Sequence, residues 1–187
     1  MDALSYKYHP ETKEELKSIL GELIKKRGTD GDFNDIDTSA ITDMSKLFYR
    51  STSFNGDISK WNVSNVTNMN DMFYYAEKFN KDISNWDVSK VSSMSGMFYY
   101  AKSFNQPIGK WDVSHVEYMS DMFNNAQSFN QPIGNWKVSQ AFQLDQMFAH
   151  AKSFNQDLSK WNLTNVKYRT DMFYDCPIKE ENKPKLD

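Results

Sequence analysis

FNQPIGKWDVS at Phe104–Ser114 returns 25 residues later, almost unchanged, as FNQPIGNWKVS at 129–139. The same interval separates the five tryptophans of the chain, which are Trp61, Trp86, Trp111, Trp136 and Trp161. A fixed period of this length is typical of stacked repeats, in which each unit buries its apolar face against its neighbours. The stretch therefore predicts a solenoid of 25-residue coils.

Several apolar positions keep this interval from one repeat to the next. Two phenylalanine columns, an isoleucine column and a valine column run through the repeats with only apolar exchanges. Large aromatic side chains that recur at fixed positions supply most of the buried area of such a fold. The columns that we predict to form the structural core include Trp61, Trp86, Trp111, Trp136 and Trp161, and Phe73, Phe98, Phe123 and Phe148.

The residues before the repeats have a different pattern. Apolar residues there share one helical face and predict an amphipathic helix over Pro10–Gly28, with a capping-box pattern at its start and Gly28 at its end. The residues of this face are Leu16, Ile19, Leu20, Leu23 and Ile24. We therefore expect an N-terminal capping helix at 1–30 and a polar C-terminal tail at 177–187. Between them, the repeat solenoid at 31–176 has a degenerate first coil, four to five full coils and a truncated last coil.

Each coil is expected to contain one helix and one strand. The face formed by Met119, Met122, Phe123 and Ala126 predicts a short helix over Ser120–Ala126. The turn-rich stretch 106–111 is too short for a second helix, so we place one brief parallel strand around the isoleucine and tryptophan columns. The fold class predicted from these elements is α/β.

Composition and charge exclude several kinds of partner. The 187 residues carry a net charge of −3, which provides no basic surface for nucleic acid. No apolar run is long enough to cross a membrane, so we expect no membrane insertion. The start, Met1–Tyr6, has neither a basic nor an apolar segment of an export signal, and a cytoplasmic location therefore stays open. Cys176 is the single cysteine, which excludes an internal disulfide. We expect a monomer.

The residue pattern gives no sign of catalysis. His9, His115 and His150 have no cysteine, acid or second histidine at ligand spacing, and no glycine-rich phosphate loop is present. We therefore predict no enzyme activity, no catalytic residue, no metal and no cofactor. Recurring acids such as those of the Asp57 and Asp71 columns are interrupted by other residues, and turn formation explains them better than a calcium site.

Two sets of aromatic columns are candidates for binding. Tyr74, Tyr75, Tyr99 and Tyr100 occupy variable columns, and adjacent exposed tyrosines on successive coils would form a patch of the kind enriched at interfaces. The alternative for these four residues is half-buried packing. The tryptophan column could serve as a stacking platform for sugars, but Ile36 takes its place in the degenerate coil, which favours a core position.

The columns of the repeat can be written Met-Phe-x-x-Ala-x-x-Phe-Asn-Gln-x-Ile-x-x-Trp-Asp-Val-Ser-x-Val-x-x-Met. In this form they closely resemble the BspA-like leucine-rich-repeat surface proteins of bacteria, a class first catalogued as a mycoplasma lipoprotein repeat, and the match runs from Phe33 to Phe173. The resemblance implies a right-handed leucine-rich-repeat-like solenoid without catalytic activity. It also implies a place at the cell surface or in secretion, with a role in adhesion to host components.

These observations together predict a non-enzymatic binding or adhesion module. It would recognise a protein or a glycan, of host origin according to the resemblance, through one face of the solenoid. Two alternatives stay open: a purely structural spacer or scaffold whose repeats set length, and a carbohydrate-binding protein that uses its aromatic columns.

Overall fold

The computed structural model describes residues 6–185 of the chain. Its helices are α1, Lys13–Arg27, and a short 3-10 helix, Glu180–Asn182. The predicted absence of an export signal concerns Met1–Tyr6 and, apart from Tyr6, lies outside the described residues. The last two residues of the predicted tail lie outside them as well.

The predicted N-terminal helix is present as α1. The Thr12 side chain accepts a hydrogen bond from the Glu15 N–H at 3.2 Å, which satisfies one of the free donors of the first turn. Gly28 ends the helix with φ 77°, a left-handed conformation that glycine adopts without strain. Leu16, Leu20 and Leu23 are buried on one face, against the first coil.

Polar contacts fix α1 on the first coil at both of its ends. Near the start, Lys13 Nζ lies 3.0 Å from Asp43 Oδ2. Near the end, Arg27 donates two hydrogen bonds to the carboxylate of Asp35, at 2.7 and 2.9 Å. A parallel bridge between Tyr8 and Ile36 adds the segment before α1 to the same end of the stack.

Successive coils are joined by a ladder of single parallel β-bridges, one per coil. The bridged residues are Asp43, Asn68, Ser93, Tyr118, Gln143 and Tyr168, each 25 residues after the last. Residues that pair in a parallel ladder lie about 4.8 Å apart, so the side chains of this column form a row along the stack.

The ladder of β-bridges does not lie where we predicted the strand from the sequence. We predicted the strand around the isoleucine and tryptophan columns, but the bridges run through the column just before the methionine column. At the predicted place, the parallel bridges among the described residues are those of Asp32 with Asp57 and of Tyr8 with Ile36, both at the start of the stack. Pro107 and Pro132 occupy the Asp57 position in later coils and lack the N–H that such a ladder needs.

The predicted helix over Ser120–Ala126 is a series of turns instead. The N–H groups of Met122 and Asn124 bond back three residues within their own coil, whereas those of Asp121 and Phe123 donate to carbonyls of the next coil at 2.9 Å. Asp121 has φ 59°, and its column has positive φ in every coil. An α-helix requires φ near −63°, so the left-handed residues prevent one from forming.

The core is a stack of aromatic rings along the repeat axis. Phe48, Phe73, Phe98, Phe123, Phe148 and Phe173 form one column, with ring centroids 5.4 to 5.7 Å apart from coil to coil. A second phenylalanine column packs on it, with centroids 3.9 to 4.3 Å apart within each coil from Phe48 to Phe154. Each coil therefore adds one layer to a continuous core.

The C-terminal segment packs on the last coil. Ile178 and Pro184 are buried, and the carbonyl of Asn182 accepts from the Leu158 N–H at 2.8 Å. Asn182 also donates through Nδ2 to Asn155, as the glutamines of the earlier coils do. The assignment of the whole molecule to a right-handed leucine-rich-repeat-like class stays a prediction.

Candidate functional site

The four predicted binding tyrosines lie side by side on one face, half-buried, and Tyr49 of the preceding coil extends the group and is 38% exposed. We name this group the tyrosine ladder; its members are Tyr49, Tyr74, Tyr75, Tyr99 and Tyr100. These tyrosines lie in the turns that each coil has in place of the predicted helix. Tyr75 and Tyr100 have φ near 56°, so the left-handed backbone sets the direction of their side chains.

The rings of the tyrosine ladder stack face to face along the repeat axis. The centroids of Tyr74 and Tyr99 are 4.5 Å apart at 5°, and those of Tyr75 and Tyr100 are 4.5 Å apart at 3°. Tyr49 stacks on Tyr74 at 4.8 Å. Because the ring faces cover one another, the ladder presents ring edges and hydroxyl groups to solvent. It is therefore no platform for stacking a planar ligand along its length.

Cationic side chains surround the ladder. The guanidinium of Arg50 lies 5.6 Å from the centroid of Tyr49 and 5.8 Å from that of Tyr75. Lys102 Nζ lies 5.8 Å from the centroid of Tyr100 and 3.0 Å from a carboxylate oxygen of Glu77. Such cation–π contacts hold the cations at the rim of the aromatic surface.

The phenol groups of Tyr74 and Tyr99 are protonated at physiological pH. Burial raises the pKa of Tyr74, and burial followed by the neighbouring phenols raises the pKa of Tyr99 to about 12. Neutral phenol groups both donate and accept hydrogen bonds. The ladder therefore combines apolar ring edges with a row of bifunctional hydroxyls, a combination enriched at protein interfaces.

The ladder ends in the coil after that of Tyr99 and Tyr100, where Asn124 and Asn125 replace the tyrosines. Asn124 is only 3% exposed and donates to Asp121 at 2.7 Å and to Gln146 at 3.2 Å. Asn125 in turn donates to Asn124 Oδ1 at 2.7 Å. These amides bond to neighbouring side chains within the protein, so the continuous stack of tyrosines stops at Tyr99 and Tyr100.

A cavity of about 400 Å³ opens beside the ladder, and Tyr74, Tyr99 and Gly96 are among the residues that line it. The carboxylate of Asp71 lies against Gly96, since a Cβ at Gly96 would lie 2.3 Å from Asp71 Oδ1. Asp71 and Asp121 line the same cavity, and burial is the main cause that raises the pKa of both carboxyls. These two acids give the edge of the ladder a negative local charge.

The tryptophans lie in the core, 3–4% exposed. Each indole Nε1 donates to a backbone carbonyl 28 residues earlier, at 3.0 to 3.3 Å. A buried ring cannot stack on a sugar, so the tryptophan column is not a carbohydrate platform. The phenylalanines Phe73, Phe98, Phe123 and Phe148 are buried as well.

The three histidines have separate partners. His9 lies 3.5 Å from Asp37, His115 Nδ1 lies 3.4 Å from a serine hydroxyl, and His150 Nδ1 lies 2.8 Å from Asp175. Within residues 6–185, no three histidine, cysteine, aspartate or glutamate side chains are placed to hold a metal ion.

The recurring acids of the Asp57 column form turns. The carboxylates of Asp57, Asp82 and Asp157 accept from the N–H two residues later, at 2.9 to 3.0 Å. This is the Asx-turn geometry, in which a short acidic side chain replaces a backbone acceptor.

Two features of the surface were missed by reasoning from the sequence. One is an asparagine ladder, in which Oδ1 of each asparagine accepts from a backbone N–H of the next coil, or of the C-terminal segment for the last asparagine, at 2.9 to 3.0 Å; its residues are Asn55, Asn80, Asn105, Asn130 and Asn155. The other is a cluster of exposed aromatic residues, Tyr118, Phe142 and Tyr168. The invariance of the asparagine among the five full repeats was the available signal for the first. The aromatic cluster lies in columns that are polar in other coils and gave no signal.

None of the helices within the described part of the chain is both long enough and apolar enough to cross a membrane.

A family profile matches the chain over residues 20–128 and again over residues 107–184. That family is described as "Mycoplasma protein of unknown function, DUF285". No curated protein and no solved structure is significantly similar to the chain. The two matches together cover most of the sequence, including all the full repeats. The chain therefore belongs to this family, whose description indicates a bacterial origin.

Proposed function

We propose that this chain is a non-enzymatic binding module of the bacterial cell surface, a BspA-like solenoid of the leucine-rich-repeat type. It recognises a protein through the tyrosine ladder. The observation that carries the proposal is the ladder itself, five stacked tyrosines with their edges and hydroxyls on one face of the N-terminal half.

The ladder suits recognition because its side chains are already ordered before a partner binds. Stacking already fixes the rings, so little side-chain entropy is lost when a partner binds. Tyrosine offers contact area and a hydrogen bond from the same side chain, which is why it recurs at interfaces and among binding hot spots. Arg50 and Lys102 at the rim, with Asp71 and Asp121 in the adjoining cavity, supply charges of both signs for specificity.

The test uses two sets of variants against a panel of immobilised extracellular-matrix proteins. Changing Tyr74, Tyr75, Tyr99 and Tyr100 together to phenylalanine keeps the stacked rings and removes the hydroxyls. We expect nearly unchanged thermal stability and binding weakened by at least about tenfold, since each lost hydrogen bond at an interface is worth roughly 0.5–1.5 kcal/mol. Changing the same four residues to serine removes the rings and should abolish binding.

The serine variant also costs stability, because each aromatic pair contributes roughly 0.5–1.5 kcal/mol beyond its buried area. A matched control is Tyr168→Ser, which removes an exposed tyrosine elsewhere. Full binding by a folded four-serine variant contradicts the proposal. If the wild type binds no matrix protein at all, the spacer function takes its place.

A further inference from the structure

The second aromatic surface lies in the C-terminal half, on the face that carries the parallel bridges. Tyr118, Phe142 and Tyr168 are 37%, 36% and 41% exposed. Their rings meet edge to face, with centroids 6.3 Å apart at 73° and 5.4 Å apart at 78°. The neighbours of Tyr118 in its own column are Ser93 and Gln143, so no ring stacks on it along the row. In contrast to the rings of the tyrosine ladder, Tyr118 has no parallel ring stacked on it within the described part of the chain, whereas Lys167 Nζ lies 5.8 Å from the centroid of Phe142 and 5.3 Å from that of Tyr168.

A groove of about 480 Å³ lies beside Tyr118 on the same face. The middle coil of the groove contributes only serines, Ser92, Ser93 and Ser95, whereas the coil after it contributes Tyr118. Because paired residues of neighbouring coils lie about 4.8 Å apart, three short side chains between longer ones leave a depression. The sequence of this one coil therefore creates the groove.

The lining of the groove is uncharged and rich in amides and hydroxyls. Asn70 Oδ1 accepts from the Ser93 hydroxyl at 2.5 Å and from the Ser95 N–H at 2.8 Å, which fixes its amide. Asn68 Oδ1 accepts from the Asn70 N–H at 3.0 Å. Within residues 6–185, the Nδ2 groups of both asparagines and the side-chain amide of Gln143 have no hydrogen-bond partner. The groove thus offers several free donors and one free amide oxygen.

The backbone below the groove belongs to the interior of the bridge ladder. The Met69 N–H donates to the Ser93 carbonyl at 2.9 Å, and the Met94 N–H donates to the Tyr118 carbonyl at 2.8 Å. An extended peptide adds to a ladder at its edge, whereas Asn68 and Ser93 are each bridged to a coil on both sides. The absence of charged side chains in the lining gives no attraction for a phosphate or an ammonium group. The ligand that fits must bring hydroxyl groups for the amides and an apolar face for the ring.

We infer that this groove is a binding site for a neutral saccharide. One C–H face of a sugar ring packs on Tyr118, and the sugar hydroxyls bond to the amides of Asn68, Asn70 and Gln143. Pockets of this kind combine an apolar wall with a few fixed polar groups that orient the ligand. The site is separate from the tyrosine ladder and does not depend on it.

The test is an NMR titration of the ¹⁵N-labelled full chain with three neutral disaccharides: lactose, maltose and cellobiose. We expect at least one of them to bind at millimolar concentration and to shift the amide signals of residues 67–70, 92–95, 118 and 143. Tyr118→Ser should weaken this binding by about tenfold or more, because the apolar wall is lost. Ser93→Tyr, the reciprocal change, should abolish it by filling the groove.

Both changes introduce a residue that the same column already holds in the neighbouring coil, so the fold should tolerate them. Should Ser93→Tyr fail to fold, Ser93→Asn copies Asn68 of the same column and fills part of the groove. Tyr168→Ser is the matched control, since it lies in the column of Tyr118 but outside the lining; it should leave the affinity unchanged. The variants of the tyrosine ladder should also bind the sugar normally.

The inference is overturned if none of the three disaccharides shifts these signals. It is overturned equally if the shifts persist in a folded Ser93→Tyr variant, or if Tyr168→Ser weakens binding as much as Tyr118→Ser. Each of these outcomes leaves the proposed protein binding by the tyrosine ladder intact.

Discussion

A tryptophan at each 25-residue step ties one coil to the one before it. Trp111 has its ring 6.4 Å from that of Phe98, and its Nε1 donates to the carbonyl of Ile83 at 3.1 Å. The ring thus fills space within its own layer, and the N–H satisfies a carbonyl of the previous layer. A buried indole needs such a partner, because an unpaired polar group in the core is costly.

We expect Trp111→Ala to lower the free energy of unfolding by roughly 3–5 kcal/mol, since a large cavity remains. Trp111→Phe keeps most of the ring but leaves the Ile83 carbonyl without its donor, and we expect a smaller loss of about 1–3 kcal/mol. Chemical denaturation of both variants measures the two contributions separately. Wild-type stability in Trp111→Ala would show that this column does not form the core.

The carboxyl of Asp121 should make stability depend on pH in the direction opposite to that of Asp35. Burial raises the pKa of Asp121, so its charged form is disfavoured in the folded protein, and the penalty disappears as the pH falls below the unfolded value of 3.8. Asp121→Asn removes the charge and keeps an acceptor for Asn124. We expect this variant to melt higher than wild type at neutral pH, with the difference vanishing in acid.

Asp35→Asn is the control with the opposite sign. The hydrogen-bonded guanidinium of Arg27 lowers the pKa of Asp35, so its charged form stabilises the fold above pH 3.8 and this contribution is lost as the pH falls through the lowered pKa. The variant should melt lower than wild type at neutral pH. Thermal melts of both variants across this pH range measure the two effects, and shifts of the same sign would contradict this assignment.

At the scale of elements, the turns around Asp121 explain why the sequence predicted a helix. Met119, Met122, Phe123 and Ala126 have helical spacing, and all four are buried as that spacing predicts. The helical spacing of these residues indicates only which side chains share a buried face. The N–H groups that decide between helix and ladder find their partners 24 residues away, which no local pattern contains. The alternation of aspartate and glycine in the Asp71, Gly96 and Asp121 column was the one local sign of a left-handed backbone.

A glycine at a left-handed position should resist replacement by alanine, whereas a glycine inside α1 should not. Gly96 has φ 63°, and a Cβ there would lie 2.3 Å from Asp71 Oδ1, so we expect Gly96→Ala to destabilise the protein by roughly 1–2 kcal/mol or more. Gly21 lies inside α1 with open space around it, and Gly21→Ala should stabilise by roughly 0.5–1 kcal/mol. Denaturation curves of the two variants compare the same change at both sites; equal effects would refute the assignment of strain to Gly96.

The helix α1 should be required for solubility because it covers the first coil. Deletion of residues 1–28 removes Leu16, Leu20 and Leu23 and exposes apolar surface of that coil, and we expect aggregation. Leu20→Ala in the full chain should cost roughly 2–5 kcal/mol, whereas Lys17→Ala on the exposed face should cost little. Size-exclusion chromatography of the deletion variant tests the point. A soluble, monodisperse product would mean that α1 is not a cap.

At the scale of the whole molecule, the stack places the constant positions of the repeat in the core and the variable tyrosine positions at the surface. The period, the core columns and α1 could all be predicted from the sequence, because identical neighbours stack into one core. The position of the tyrosine ladder followed from its variable columns, but its ring-to-ring stacking did not, because 25-residue spacing does not specify side-chain direction. The groove beside Tyr118 was not predictable either, since the serines of its floor are also common turn residues.

The most direct test of protein recognition by the tyrosine ladder is oxidative footprinting of the full chain, free and bound to an enzymatically deglycosylated matrix protein. Mass spectrometry then reports the reactivity of each tyrosine side chain. We predict that Tyr74, Tyr75, Tyr99 and Tyr100 lose reactivity in the complex, while the exposed Tyr118 and Tyr168 keep theirs. Unchanged reactivity of the four ladder tyrosines in a complex that forms would contradict the proposed function.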